Sequence, residues 1–275
     1  MTPTHEFTSA RSPRIKAARR LAKRAFRQRE RLFLAEGPQA VREALARSGV
    51  VREMFGTAEA THRHADLVAA AEASGAPVHR VSTEVMAELA QTVTPQGLLA
   101  VCGFIDRGLD ELGPVRLAVV LTHVRDPGNA GTVLRTADAA GADVVVFTDA
   151  SVDPYNSKCV RASAGSLFHL PVVVGPRIGE VVTHLRGRGA RVLAADGSGD
   201  RSLDDATDSG ELAGPVAWVF GNEAWGLPEE TLALTDQAVS VPIYGSAESL
   251  NLATAAAVCL YTTAREQRRD ASVGG

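Results

Sequence analysis

The stretch VAWVFGNEAWGLPEETLALTDQAVSVPIYGSAESLNL, residues 216–252, decides how this chain folds. It holds two apolar runs, VAWVF and AVSVPI, and each stops abruptly in a loop bearing glycine and polar residues. A run such as Val216 to Phe220, ending in Gly221-Asn222-Glu223, reads as a buried strand that delivers a tight loop to the edge of a sheet. In open α/β sheets that edge is where ligands bind.

Upstream, RLAVVLT (116–122), GADVVVFTD (141–149), LPVVVG (170–175) and RVLAAD (191–196) read as further strands. RLAVVLT is a continuous apolar run of the kind that a parallel strand buried on both faces requires. Helical patterns at 126–140, 158–166, 178–188 and 250–268 alternate with these runs, which predicts a doubly wound parallel sheet over residues 115–275. The polar stretch DRGLDELGP, 106–114, interrupts the apolar periodicity and marks a domain boundary. Before it, residues 1–108 read as a smaller α/β unit. Its pattern is helix 14–29, strand 31–37, helix 38–48 with Pro38 in its first turn, strand 50–57, helix 63–74, strand 76–82, helix 83–90 and strand 97–104.

Charge separates the two parts more sharply than the overall balance of −3 suggests. Residues 1–31 carry ten Lys or Arg against Glu6 and Glu30, so that segment is +8 and the remainder −11. Ile15, Leu21 and Phe26 fit one side of a helix there, which leaves Arg19, Arg20, Lys23 and Arg24 as candidate phosphate contacts. From charge alone two readings stay open: an RNA- or DNA-binding helix, or a solvated helix with a disordered arm.

Composition excludes several classes. At 275 residues with 45 % hydrophobic content the chain can bury sizeable cores. No apolar stretch approaches the roughly 20 residues needed to span a bilayer, and the N-terminus lacks the apolar segment of a secretory signal. A cytoplasmic location without membrane partners is expected. Cys102, Cys159 and Cys259 are widely spaced, with no C-x-x-C pair or histidine cluster, and read as buried free thiols; no metal site is expected. Neither a G-x-G-x-x-G nor a phosphate-loop motif follows any strand, so an ordinary Rossmann cofactor site is not expected. Asp196-Gly197-Ser198-Gly199-Asp200 reads as a turn.

Three segments carry the chemistry. In LTHVRDPGNAGTVLRTADAAGADVVVF, 121–147, Asp126-Pro127-Gly128-Asn129 is a turn after a buried strand, and Asn129 falls near a helix N-terminus. Arg135, among Val133, Leu134 and Ala137, reads as a cation on a largely buried helix that needs a partner, either a ligand or a structural salt bridge. In VFGNEAWGLPEE, Gly221 and Gly226 permit close backbone approach or positive φ, while Asn222 and Glu223 offer polar groups at the sheet edge. Trp225 reads either as a cover for a ligand or as packing. In VPIYGSAESLNLATAAA the strand ends at Ile243, Ser249 reads as the helix N-cap, and Asn251 falls in the first turn.

In order, NAGTVLRTADAAGA, VFGNEAWGLPEE and VPIYGSAESLNLATAAA resemble motifs one, two and three of the SpoU/TrmH group of RNA ribose 2′-O-methyltransferases, within the SPOUT superfamily. KAARRLAKRAFRQRERLFLAEGPQAVREAL and QTVTPQGLLAV are similar to the substrate-binding domain common in that group. The resemblance implies a C-terminal parallel-sheet domain with a deep trefoil knot, preceded by a smaller α/β domain resembling a small ribosomal protein. It also implies a homodimer formed through the C-terminal domain. S-adenosylmethionine would bind in the knot crevice, chiefly on backbone around Gly221, Ile243 and Leu250, with Asn222 and Gly226 beside it, and leave as S-adenosylhomocysteine. Arg135 matches the group's catalytic arginine, and Asn129, Glu223, Ser249 and Asn251 match its other functional polar positions.

The implied reaction is methyl transfer to a ribose 2′-hydroxyl of structured RNA, with ribosomal RNA, the 23S molecule above all, preferred over transfer RNA. Housekeeping and antibiotic-resistance modification both stay open; a non-catalytic RNA-binding or assembly protein and a methyltransferase acting on a small molecule or protein are the competing readings, and the +8 segment counts against the second. Arginine is effectively always protonated. Arg135 therefore stands either as an unusual base or as a cation that orients a phosphate and stabilises developing oxyanion charge.

Overall fold

The computed structural model describes residues 6–273. They divide into two compact units: one built from residues up to Ile105 together with Tyr155–His169, the other from Asp106–Pro154 and Leu170 onward.

In the first unit the helices and strands are α1 (Pro13–Arg20), α2 (Arg24–Glu30), β1 (Leu32–Glu36), α3 (Pro38–Ala46), β2 (Val51–Gly56), α4 (Ala58–Arg63), α5 (Ala65–Ala73), β3 (Val78–Arg80), α6 (Thr83–Leu89) and β4 (Leu98–Gly103). The strands form a mixed sheet in the order β1-β4-β2-β3, with only β2 and β3 parallel. One core gathers Ile15, Leu21, Leu34, Phe55 and Leu89. A second cluster is aromatic: Tyr155 lies 3.9 Å from Phe104 and 4.7 Å from Phe33 between ring centroids, and its hydroxyl accepts the Ile105 N–H at 2.9 Å.

The expected single helix over 14–29 is broken. Leu21 closes α1, Lys23 is extended, and α2 begins afresh at Arg24. The reason lies in Arg27, which is 3 % exposed and donates through Nη1 to the Leu21 and Ala22 carbonyls at 2.9 and 2.8 Å. Those carbonyls would otherwise be orphans at the helix end, so a side chain replaces the next turn. The helix expected over 63–74 is likewise preceded by α4, whose N-cap Thr57 accepts the Ala60 N–H at 3.2 Å.

In chain order there follow β5 (Leu117–Leu121), α7 (Pro127–Ala140), β6 (Val144–Phe147), α8 (Ser157–Ala162, part of the first unit), β7 (Val172–Val174), α9 (Ile178–Gly187), β8 (Arg191–Ala195), β9 (Arg201–Ser202), α10 (Leu203–Asp208), β10 (Val216–Phe220), α11 (Glu229–Leu232), β11 (Gln237–Ser240) and α12 (Leu252–Val273). The seven strands of the second unit pair in the order β7-β6-β5-β10-β8-β11-β9, every pair parallel.

The LAVVL, VVVF and VAWVF runs are buried along their whole length because helices cover both faces of the sheet. Alternate residues such as Ala118, Val120, Ala217 and Val219 pack with Val181, Val182 and Leu185 of α9. On the opposite face α12 packs against α7, β10 and β5, and the buried Trp218 donates its indole N–H to the buried Thr263 at 2.9 Å. Cys102, Cys159 and Cys259 are buried and belong to no disulfide, and burial pushes Cys259 up to about 12. No helix among the described residues is long and apolar enough to cross a membrane.

Candidate active site

The strand order places the site. β5, β6 and β7 extend one way and β8, β11 and β9 the other, with β10 between β5 and β8. The loops leaving the carboxyl ends of β5, β8, β10 and β11 therefore meet where the winding reverses, the position at which such sheets bind ligands. A cavity of about 680 Å³ opens there, lined by Asp196–Ser198, Phe220–Gly226, Val239–Ile243 and Glu248–Leu250, among others. That volume falls within the roughly 300–1,000 Å³ of small-molecule sites.

Gly221 and Gly226 shape it by different means. Gly226 has φ +71°, whereas Gly221 is needed for closeness: a Cβ there would lie 2.4 Å from the Gly226 carbonyl oxygen. Asn222 and Gly226 exchange backbone hydrogen bonds at 2.8 and 3.0 Å, which pins the loop into a tight ring. The Asn222 side chain donates to the His123 carbonyl at 3.0 Å and accepts the Ala224 N–H at 2.9 Å. His123 itself holds φ +57°, a strained conformation for a non-glycine residue, and its ring lies 5.3 Å from that of Trp225. Trp225 remains 53 % exposed at the cavity wall, so it is not core packing.

The polar residues converge. Asn129 Nδ2 donates to Glu223 Oε1 at 3.1 Å, and Asn251 Nδ2 donates to Asn129 Oδ1 at 3.2 Å. Three side chains far apart in sequence thus form one hydrogen-bonded row, and its Glu223 end lines the cavity. Asn129 is held in the first turn of α7 by the Asp126 cap, which accepts the Asn129 N–H at 2.8 Å. Asn251, not Ser249, caps α12: its side chain accepts the Ala253 N–H and its carbonyl the Ala255 N–H, both at 2.9 Å. The pattern S-L-N-L offers two capping residues, and the later one lies against Asn129. Ser249 lines the cavity with Ile243 and Leu250.

Arg135 departs from its expected environment. It is exposed on α7, not buried, and no hydrogen bond or ion pair joins it to another described residue. The apolar Val133, Leu134 and Ala137 face inward, and a residue only one or two positions away points elsewhere on a helix. The loop at 196–200 is a turn, in which Asp196 Oδ1 accepts the Ser198 N–H at 2.9 Å, but it also walls the cavity, a role that sequence reading missed. Glu248 and His123 were missed too; nothing in their local sequence distinguishes them from ordinary loop residues.

In the first unit Arg19, Arg20, Lys23 and Arg24 are all exposed, and Arg19 pairs with Glu88 at 2.5 Å. Among the described residues no group of three or more His, Cys, Asp or Glu is placed to hold a metal.

Residues 116–261 match the model of the SpoU rRNA Methylase family, and residues 12–100 that of the MRM3-like substrate binding domain. The chain is 34 % identical to the 23S rRNA (guanosine(2553)-2′-O)-methyltransferase RlmP of Bacillus subtilis, over 93 % of this chain and 98 % of that protein. Among solved structures, the AdoMet-bound rRNA methyltransferase from Sinorhizobium meliloti superimposes with a TM-score of 0.83 at 30 % identity, covering 95 % of this chain and 97 % of that one. The SpoU methyltransferase AviRb from Streptomyces viridochromogenes, in complex with the cofactor AdoMet, gives a TM-score of 0.82 at 28 % identity over 94 % of this chain and 100 % of that one.

Proposed function

Because the chain belongs to the SpoU rRNA methylase family, we propose that it transfers a methyl group from S-adenosylmethionine to a ribose 2′-hydroxyl of ribosomal RNA. The observation that carries this reading is the Glu223–Asn129–Asn251 row beside a cavity lined by Gly221 and Gly226.

The cavity fits that cofactor. Gly221 and Gly226 line the cavity with backbone that carries no side chain, and Asp196, Glu223 and Glu248 present carboxylates suited to a molecule bearing sulfonium and ammonium charges. When bound, S-adenosylmethionine supplies an electrophilic methyl group on sulfur. Backbone around Gly221, Ile243 and Leu250 would hold it, with Asn222 setting the loop and Trp225 at the cavity wall available to cover it.

The chain's other task is to position and acidify a hydroxyl that is a poor nucleophile. Glu223 is held by Asn129, and Asn129 by Asn251, so the three present one connected polar edge. Arg135, as a permanent cation, orients the adjoining phosphate and stabilises charge developing on the oxygen. Its free guanidinium supports action across a homodimer. Val258 and Tyr261, 38 % and 54 % exposed on α12, supply apolar surface for a second copy of the chain. The trefoil knot belongs to the same reading: α12 returns from the cavity loop 241–251 to pack on β10, β5 and α7.

Incubation of the protein with labelled methyl donor and total RNA tests the assignment, with label expected in 23S ribosomal RNA as 2′-O-methyl nucleotide. Label confined to transfer RNA, or absent while the donor still binds, would overturn it. Arg135→Ala should lower kcat by about 10²–10³ and leave donor affinity unchanged, the signature of a group that acts on the transition state.

A further inference from the structure

The first unit contains a second cavity, about 190 Å³, that the methyl-transfer site does not use. Its apolar wall comes from Ala17, Leu21, Phe26, Leu32 and Val101. The Phe26 ring is covered by guanidinium groups: the Arg29 carbon stands over it at 4.9 Å and the Arg20 carbon at 5.6 Å from its centroid. Two carboxylates, Glu30 and Glu53, also line it, and Glu30 pairs through Oε1 with Arg29 at 2.6 Å.

Size restricts the occupant. The volume is below the roughly 300 Å³ at which drug-sized pockets begin, so it suits one small ring system and not a whole cofactor. Charge restricts it further. Arg19, Lys23 and Arg24 stand exposed on the same segment, so a polyanion is drawn to the cavity mouth. Aromatic rings and guanidinium planes are the surfaces on which unpaired bases stack. Carboxylates on an RNA-facing surface repel phosphate, but they accept hydrogen bonds from the amino groups of adenine, guanine and cytosine, which uracil lacks. Glu53 already accepts from Arg14 at 3.0 Å and pairs with His79 at 3.2 Å, yet a carboxylate has about four lone-pair sites and retains capacity.

We propose that this cavity captures a single unpaired, amino-bearing nucleobase of the RNA, stacked against the Arg20 and Arg29 guanidinium groups that Phe26 holds in place. The inference rests on the RNA reading given above, and it makes Phe26 a residue of the first unit that selects the substrate, whereas the methyl-transfer cavity is lined by the second. Replacing the break between α1 and α2 by a continuous helix would remove the site, because the break sets Leu21 and Phe26 on its wall.

The experiment titrates the full-length protein into a short single-stranded RNA carrying one 2-aminopurine among uridines, with an all-uridine RNA as control. The wild type is expected to quench the 2-aminopurine and to bind that RNA more tightly than the control. Phe26→Ala should weaken binding about 5- to 150-fold, the range for removal of one stacked base, and Phe26→Trp should restore it. Unchanged binding by Phe26→Ala with donor affinity intact, or equal affinity of the wild type for both RNAs, would overturn the proposal. Methylation of total RNA by the wild type is measured alongside. If it succeeds while Phe26→Ala binds normally, the base pocket alone fails; if no RNA is methylated or bound, both readings fall.

Discussion

Gly221 illustrates how one absent methyl group makes a site. Alanine there would thrust its Cβ to 2.4 Å from the Gly226 carbonyl oxygen and 2.8 Å from Leu227 Cγ, and backbone cannot yield as a flexible side chain would. Gly221→Ala should therefore weaken donor binding at least about tenfold, or about 1.4 kcal/mol, measured by calorimetric titration. His79 provides a pH-dependent prediction. Its burial, and next the adjacent Arg14 guanidinium, hold the imidazole below the usual histidine range against the opposing pull of Glu53. A base depressed in the folded state binds its proton more readily once unfolded. The stability it supports is thus complete above the unfolded value of about 6.5 and is lost as pH falls toward the folded value. Melting temperature followed between about pH 7 and 5 should fall more steeply for the wild type than for His79→Gln. Residue identity announced Asn129, Glu223 and Asn251 in the sequence, because polar groups ending apolar runs stand out. Their hydrogen-bonded row did not show, since it joins positions 94 and 122 apart along the chain.

Among the elements, α12 is the one whose attachment matters most to the cavity, because Asn251 caps its first turn and it carries Thr263 into the core. Thr263 is fully buried, accepts the Trp218 indole N–H and donates to the Cys259 carbonyl at 2.8 Å. Thr263→Val keeps the shape and orphans the indole, so urea unfolding should report a loss of about 1–3 kcal/mol. The strands of the second unit were legible because burial on both faces leaves an uninterrupted apolar run, as in LAVVL and VAWVF. The break between α1 and α2 was not legible. It depends on Arg27 turning inward to two carbonyls, and a basic residue in a basic segment gives no sign of which way it points. Short elements such as α4 and β9 also escaped, for two to six residues carry too little periodicity to read.

For the whole molecule, the uneven charge predicts a division of labour. Replacing Arg19, Arg20, Lys23 and Arg24 by alanine should leave donor affinity intact. It should flatten the dependence of log RNA affinity on log salt by up to about 3, at roughly 0.7 for each phosphate that is no longer neutralised. Equal weakening of donor and RNA binding would mean that the segment supports the fold and not the substrate. Such a pattern was readable from composition alone, because +8 within the first 31 residues is a long-range property that needs no coordinates. Membership of the units was not readable, because Tyr155–His169 lies in the middle of the sequence that builds the parallel sheet and belongs to the other unit.

That interleaving bears on how the gene can change. The chain leaves the first unit at Ile105, re-enters at Tyr155 and leaves again after His169. A single recombination event within 106–114 would join the N-terminal sheet of one parent to the Tyr155–His169 segment of another. The Tyr155 hydroxyl would then meet a foreign Ile105 amide, and its ring a foreign Phe104. Exchange of substrate-binding units between relatives therefore calls for cuts on both sides of that short segment, or for joint inheritance of the two halves of one aromatic cluster.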